Sequence, residues 1–325
     1  MPTTAKRIDA RIRYEPESQL YRLSFGALGT NCSVLFAAKS DDRAAAFART
    51  AVQWVADFET KYSRFLPDSL ISEINRQAGK RAVAIDEETH RLFEVCDSAH
   101  QSSHGLLDAT ALPLLRLWDY RAKPVRVPTP SEIEATLELV GWPMVQRDRK
   151  SVFLPKEGMQ LDLGGIGKEY AVDRVAELAH SHGIANALID FGGDIRAEGT
   201  PPNFDVWSIG IENPMATDIT DETILLSEGA VASSGNYRRN FVIEGRVYGH
   251  IVDPRTGRPS APSAQIATVI ADTCLKAGML ATSACLLPLA DAISEIEHSF
   301  PAEGRVFQEN RTATTRGFYE YVLKK

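Results

Sequence analysis

The sequence predicts an α+β fold in which antiparallel sheets pack on helices. Helical periodicity dominates the first half of the chain and strand-like runs dominate the second. The two do not alternate as a doubly wound parallel sheet requires. The chain has 325 residues, 44% of them apolar, enough for a sizeable core without staples. No internal repeat or low-complexity tract is present.

Residues 1–19 are polar and read as an N-terminal arm. Strand-like runs at 20–25 and 32–36 flank Gly26 and Gly29, a hairpin pattern. Asp41 or Asp42 can cap a long helix whose buried stripe is Phe47, Ala51, Trp54, Val55, Phe58 and Tyr62. A helix at 69–78 closes at Gly79, and Asp86 opens another that ends before Gly105. Residues 121–130 carry three prolines and read as an exposed crossing loop. Thr129-Pro130-Ser131-Glu132 is a capping box with proline at the first helical position, and Gly141 stops that helix. Strands are expected at 159–163, 187–191, 206–211, 241–244, 247–252 and 266–270, with a turn at Glu244-Gly245. Helices are expected at 168–182, 273–287 and 289–298.

Lys and Arg total 36 against 43 Asp and Glu, a formal net charge of −7. That argues against nucleic acid or an anionic membrane as the main partner. No apolar run reaches the ~18–20 residues of a membrane span. The N-terminal stretch lacks the apolar region and cleavage site of a secretory signal, so a cytoplasmic location is expected. Cys32, Cys96, Cys274 and Cys285 form no C-x-x-C pair and read as buried free thiols.

Four segments can carry chemistry. In the first, a strand-like run ending at Asp162 enters a glycine-rich turn at Gly164, Gly165 and Gly167, followed by Lys168 and a helix. Glycines allow close backbone approach, and the first helical amides with Lys168 make an anion cradle. It is not a Walker A loop: Asp162 stands where a glycine is required and Glu169 replaces the magnesium-binding Ser or Thr. The second is the tight turn Gly192-Gly193-Asp194. The third runs from Ser234 through Tyr237 and on to the His250–Pro259 corner. There His250, with an unperturbed pKa near neutrality, stands three residues before Asp253-Pro254. The fourth is the helix bearing Gly278 and Thr282, which share a face; close packing explains that glycine equally well.

Taken in series, these strings resemble the FAD:protein FMN transferase (ApbE-like) family. Gly26–Thr30, Tyr62–Phe65 with Ile74-Asn75, Asp108–Thr110, the 162–173 stretch, Gly192–Asp194, Ser234–Tyr237 and His250–Pro259 carry the resemblance. It implies a compact body with T-fold-like halves, 20–325 forming one domain of two intimately packed lobes. It implies FAD as substrate, magnesium as cation, and transfer of FMN to a Thr or Ser hydroxyl of a target flavoprotein with release of AMP. A flavin binder without transfer and a metal-dependent FAD diphosphatase are the alternatives. By position, Leu28, Tyr62, Ser63 and Phe65 would flank the flavin or its linker. Asp108, Gly164, Gly165 and Lys168, with Gly193 and Asp194, would meet the ribityl-diphosphate region. Ser234, Tyr237 and Thr256 would close the catalytic side. His250 would be the base, with Asp253 orienting it or competing for the role. The Gly167 carbonyl and Thr282 would hold the cation.

The chain departs from the family pattern at two site positions. Gly278 stands where the family usually has an Asp aimed at the cation. Glu169 stands where it usually has Gly, and is a candidate source of the missing charge. Many relatives are exported, which the N-terminus here does not suggest.

Overall fold

The computed structural model describes residues 8–119, 126–213, 216–236, 240–243, 245–260 and 266–324. Strands β1 (Ala10–Glu15), β2 (Leu20–Ala27) and β3 (Thr30–Phe36) form an antiparallel meander. Residues 10–15 are therefore an edge strand, not part of a free arm. Almost every β1 side chain is exposed, so the strand needs no apolar face and its polar composition concealed it.

Helix α1 (Asp41–Tyr62) buries Phe47, Ala51, Val55, Phe58 and Tyr62 as the periodicity requires. Its cap is Ser40, whose Oγ accepts the Arg43 N–H at 3.3 Å. Asp41 and Asp42 sit in the first turn, where they complement the helix dipole instead of capping it. There follow α2 (Leu70–Arg76), β4 (Val83–Ala84), α3 (Glu87–Ser102), α4 (Leu112–Leu117), α5 (Pro130–Leu137), β5 (Gln146–Arg147) and β6 (Ser151–Phe153). The capping box at Thr129 is formed. Residues 120–125 of the expected crossing loop lie outside the described residues. Many of these elements pack around a core of Tyr62, Ile71, Ile74, Leu92, Phe93 and Trp142.

The remainder comprises α6 (Gly167–Ser181), β7 (Ala187–Phe191), β8 (Asp194–Glu198), β9 (Trp207–Asn213), β10 (Ala216–Leu226), β11 (Gly229–Gly235), β12 (Asn240–Ile243), β13 (Arg246–Gly249), β14 (Val252–Asp253), β15 (Arg258–Pro259), β16 (Ile266–Ala271), α7 (Cys274–Ala284), α8 (Leu289–His298), β17 (Ala302–Gln308) and β18 (Arg311–Thr314). Among the described residues nine strands form one sheet in the order β1-β2-β3-β7-β8-β11-β16-β17-β18, every neighbouring pair antiparallel. The sheet has two halves joined at β8–β11: β1 to β8 with α1 and α6, and β11 to β18 with α7 and α8. Side chains alternate across it. Val34, Phe36, Ile189 and Val269 enter the helix-side core, while Leu20, Val231 and Ile270 meet Trp207 and Ile224 of the β9–β10 pair on the other face. All four cysteines are free and buried.

Three expectations differ in detail. Residues 159–163 form only a single bridge, Gln160 to Ala111. Part of their backbone pairing is taken by a side chain: Asn75 donates to the Leu161 carbonyl at 3.0 Å and accepts its N–H at 2.6 Å. The 247–252 run is split between β13 and β14. The helix after Thr273 ends at Ala284, with Thr273 as its cap. β12 and β13 pair with Ile243 opposite Arg246; Glu244 of the expected turn lies outside the described residues.

Candidate active site

A cleft of about 870 Å³ opens over the middle of the sheet, within the usual size of small-molecule sites. Its wall comes from segments distant in sequence: the β2–β3 turn, the loop before α4, the turn entering α6, the β7–β8 turn, β9, the end of β11, the 250–254 corner and one face of α7. The β2–β3 connection is a two-residue turn with Leu28 at φ +52° and Gly29 at φ +72°. Left-handed backbone is ordinary for Gly29 but strained for Leu28. The strain places Leu28 in the cleft wall, packed against both the helix-side core and the α2–α3 core.

The turn into α6 is the cleft's anion cradle. Asp162 fixes it, accepting the Gly164 N–H on Oδ1 at 2.9 Å and Arg64 Nε on Oδ2 at 2.9 Å. α6 has no side-chain cap. The Ile166 and Gly167 N–H groups are taken by the Leu163 carbonyl at 3.0 and 2.7 Å, so the helix offers an anion its dipole and the Gly165 and Lys168 amides. A Cβ at Gly165 would meet nothing within 4 Å; it would project into the space a ligand needs. Gly167 opens the helix but does not line the cleft. A Cβ there would touch Leu163 and Phe58 at 3.7 Å, so the side chain is absent for packing.

Lys168, Glu169 and Asp194 form a buried charged group beside this turn. Lys168 pairs with Asp194. Burial alone would lower the Lys168 pKa, but the charges of Asp194 and Glu169 hold its ammonium above the ordinary value. Glu169 and Asp194 are both pushed up, by burial first; Asp194 raises Glu169 further, while Lys168 opposes the rise in both. Asp194 Oδ2 is the atom that meets the Lys168 ammonium, while Glu169 Oε2 is buried without a hydrogen-bond partner. Glu169, not Asp194, lines the cleft. Across from it, Thr282 and Ser234 line the cleft and share a hydrogen bond of 2.8 Å between hydroxyls. Among the described residues no three His, Cys, Asp or Glu side chains assemble as a metal cluster. The Glu169 carboxylate with the two hydroxyls nevertheless fits a hard divalent cation that keeps substrate phosphates and waters as its other ligands.

His250 lines the same cleft. Its corner is braced from behind: the Asn236 carboxamide donates to Ser260 Oγ at 2.5 Å and accepts the Ile251 N–H at 3.4 Å. Asp253 is placed differently from the sequence expectation. Its Oδ1 accepts the Arg255 N–H at 2.8 Å and Nε at 3.1 Å, and its Oδ2 accepts Nη2 at 3.0 Å. Its carboxylate is thus committed to the turn and does not line the cleft. Thr256 belongs to that turn too, its Oγ1 accepting the Arg258 N–H at 3.4 Å.

The other expected residues divide. Leu28, Asp108, Gly164, Gly165, Lys168, Gly193, Ser234, His250 and Thr282 reach the cleft. Asp108 does so with its carboxylate occupied by the Thr110 N–H at 2.7 Å and the Trp142 N–H at 2.8 Å, so it shapes the wall instead of offering a free charge. Tyr62 does not reach it: the ring is buried in the α2–α3 core with its hydroxyl 2.9 Å from Thr89. Ser63 ends α1, and Phe65 is 72% exposed under the Arg64 guanidinium; neither lines the cleft. The segment's contact with the site is indirect, through Arg64 and Asp162. Tyr237 lies outside the described residues. The sequence reading missed the β9 wall (Ile209 to Glu212) and the bracing Asn236. β9 carries no motif; Asn236 was inside a quoted motif but had no assigned role.

The antiparallel sheet, its helical layer and a cleft lined by both an anion cradle and a histidine define an α+β protein with a site suited to an anionic ligand. The chain belongs to the ApbE family, whose model matches residues 28–304. A Vibrio cholerae protein named FAD:protein FMN transferase is 32% identical over 68% of this chain and 67% of its own. A Treponema pallidum protein of the same name is 28% identical over 96% of this chain and 90% of its own. The crystal structure of an ApbE protein from Thermotoga maritima superposes with a TM-score of 0.85 at 29% identity, covering 94% of this chain and all of that one.

Proposed function

We propose that the chain is an FAD:protein FMN transferase that moves FMN from FAD to a Thr or Ser hydroxyl of a cytoplasmic flavoprotein, releasing AMP. The observation that carries this reading is the uncapped, glycine-lined start of α6, with Lys168 beside it, facing the cleft that His250 also lines. The names of the relatives support it. The acceptor oxygen attacks the phosphorus that bears the ribityl chain, and the bond to the bridging oxygen breaks, so AMP leaves. Negative charge on the equatorial and leaving oxygens is the main problem in such a transfer. The α6 amides and Lys168 stabilise it. His250 takes the hydroxyl proton, a role worth ~10²–10⁴-fold. A bound Mg²⁺ would add positive charge at the diphosphate, with Glu169 and Thr282 as side-chain donors on the cleft wall. Residues 20–325 act as one unit in this reading, since the cleft draws on both halves of the sheet.

The test mixes the protein with FAD, Mg²⁺ and a candidate acceptor. Flavin fluorescence is expected on the acceptor after denaturing electrophoresis, with one AMP per flavin transferred. His250→Ala should keep FAD affinity and lose about 10²-fold or more in rate. AMP release without any acceptor labelling would favour the diphosphatase, and intact FAD throughout would favour a binder.

A further inference from the structure

We infer that Glu169 is the carboxylate through which this chain holds the divalent cation of its diphosphate substrate, reaching from α6 into the space that Gly278 leaves on α7. The inference rests on the reading of the cleft as the FAD site and adds the residue that completes it.

Three observations converge. Glu169 lines the cleft, is 6% exposed, and its Oε2 has no hydrogen-bond partner. Burial and Asp194 disfavour its charged form, and the neighbouring ammonium of Lys168 is already paired with Asp194, so the free oxygen is a position where a cation would stabilise the carboxylate. The second observation is steric. A Cβ at Gly278 would lie 2.5 Å from Glu169 Cγ and 3.1 Å from Oε1. Glu169 in this position and any side chain at 278 exclude one another, so the glycine is the condition for the carboxylate being there. The third is the donor set. Thr282 follows Gly278 by one turn on the same face of α7, about 6 Å along the axis, and its hydroxyl lines the cleft. The group brings two carboxylates and one ammonium to a diphosphate that carries two negative charges. A divalent cation with oxygen ligands is the chemistry that reconciles them. A Glu that merely fills the gap beside Gly278 would need no cation, and this difference is testable.

The full chain is titrated with Mn²⁺, with and without saturating FAD, and free Mn²⁺ is read by electron paramagnetic resonance. FAD affinity without metal is measured separately by fluorescence. One Mn²⁺ is expected per chain with FAD present. Glu169→Gln, which keeps the shape, should weaken Mn²⁺ binding at least about ten-fold while metal-free FAD binding is retained or tightened, since a negative charge facing the diphosphate is removed. Gly278→Asp alone should lower the melting temperature through the clash. The double variant Glu169→Gly with Gly278→Asp returns a carboxylate from the other helix and should regain Mn²⁺ affinity to within a few-fold of the parent. Parental Mn²⁺ affinity in Glu169→Gln overturns the inference, as does a parent that binds FAD but no Mn²⁺. If Glu169→Gln does not fold, the double variant decides: loss of Mn²⁺ binding there, with FAD retained, also counts against it. A parent that does not bind FAD removes the functional reading itself, a distinct result.

Discussion

His250 and Asp253 stand three residues apart, and the hydrogen bonds of Asp253 set it a different task from a histidine that lines the cleft. Asp253 spends both oxygens on Arg255, which shapes the turn carrying Gly257. That turn is seated by Trp118, whose indole N–H donates to the Gly257 carbonyl at 2.8 Å. A Cβ at Gly257 would come within 2.6 Å of Ile133, and its φ of +67° already favours glycine. Asp253 therefore acts on the reaction by positioning the histidine's corner. Asp253→Ala and Arg255→Ala are expected to lower kcat by similar, modest factors of about ten or less, well short of the ~10²–10⁴ of a lost base. A large loss confined to Asp253→Ala, with Arg255→Ala unaffected, would return the aspartate to the proton path. The same residue-level bonding explains which site assignments could be read from sequence. Lys168, the glycines of the turn and His250 are recognisable because residue type and local spacing create their chemistry. Tyr62 carries an equally suggestive letter, but its hydroxyl meets Thr89 inside the fold, which only tertiary structure reveals; Asp253 is taken by Arg255 two residues on, a local pairing that residue type alone does not mark.

The elements follow the same division. α1 and α6 are legible from their apolar stripes, and α3 and α5 from their caps, which are local signals. β1 and β18 lie at opposite edges of the sheet, and β11 is a run of small residues, so none carries the apolar alternation that marks a half-buried strand. α3 offers a test of a legible cap. Asp86 accepts the Thr89 N–H on Oδ1 at 3.0 Å and pairs with Lys61 of α1 at 2.6 Å. Partial burial would raise its pKa, but Lys61 and Thr89 outweigh it and hold the carboxyl down at about 2. A depressed carboxyl contributes stability above its unfolded pKa of about 4, and that contribution is lost as pH falls from there toward 2. Asp86→Ala should cost about 1 kcal/mol at neutral pH, mostly as a lost cap. Chemical denaturation at pH 7 and at pH 2.5 should show the gap between variant and parent shrinking at the lower pH. A gap that stays constant would mean the carboxylate's charge adds nothing.

For the whole molecule, the cleft exists because two sheet halves meet at β8–β11 and each contributes one side of the site. The turn into α6 and the β7–β8 glycines come from one half; β11, α7 and the 250–254 corner come from the other. Local spacing marks candidate residues in single segments, but their assembly into one cleft is a property of the sheet, which is why the motifs gain a shared meaning only in series. The account stands or falls on where a bound dinucleotide places its two phosphorus atoms. A crystal of the full chain soaked with FAD and Mn²⁺ measures this directly. The diphosphate is expected at the turn into α6, on the Gly165 and Lys168 amides and within reach of the Lys168 ammonium, on the His250 side of the cleft, with the anomalous Mn²⁺ peak beside Glu169 and Thr282. A diphosphate bound elsewhere, with the α6 turn facing solvent, would contradict the account.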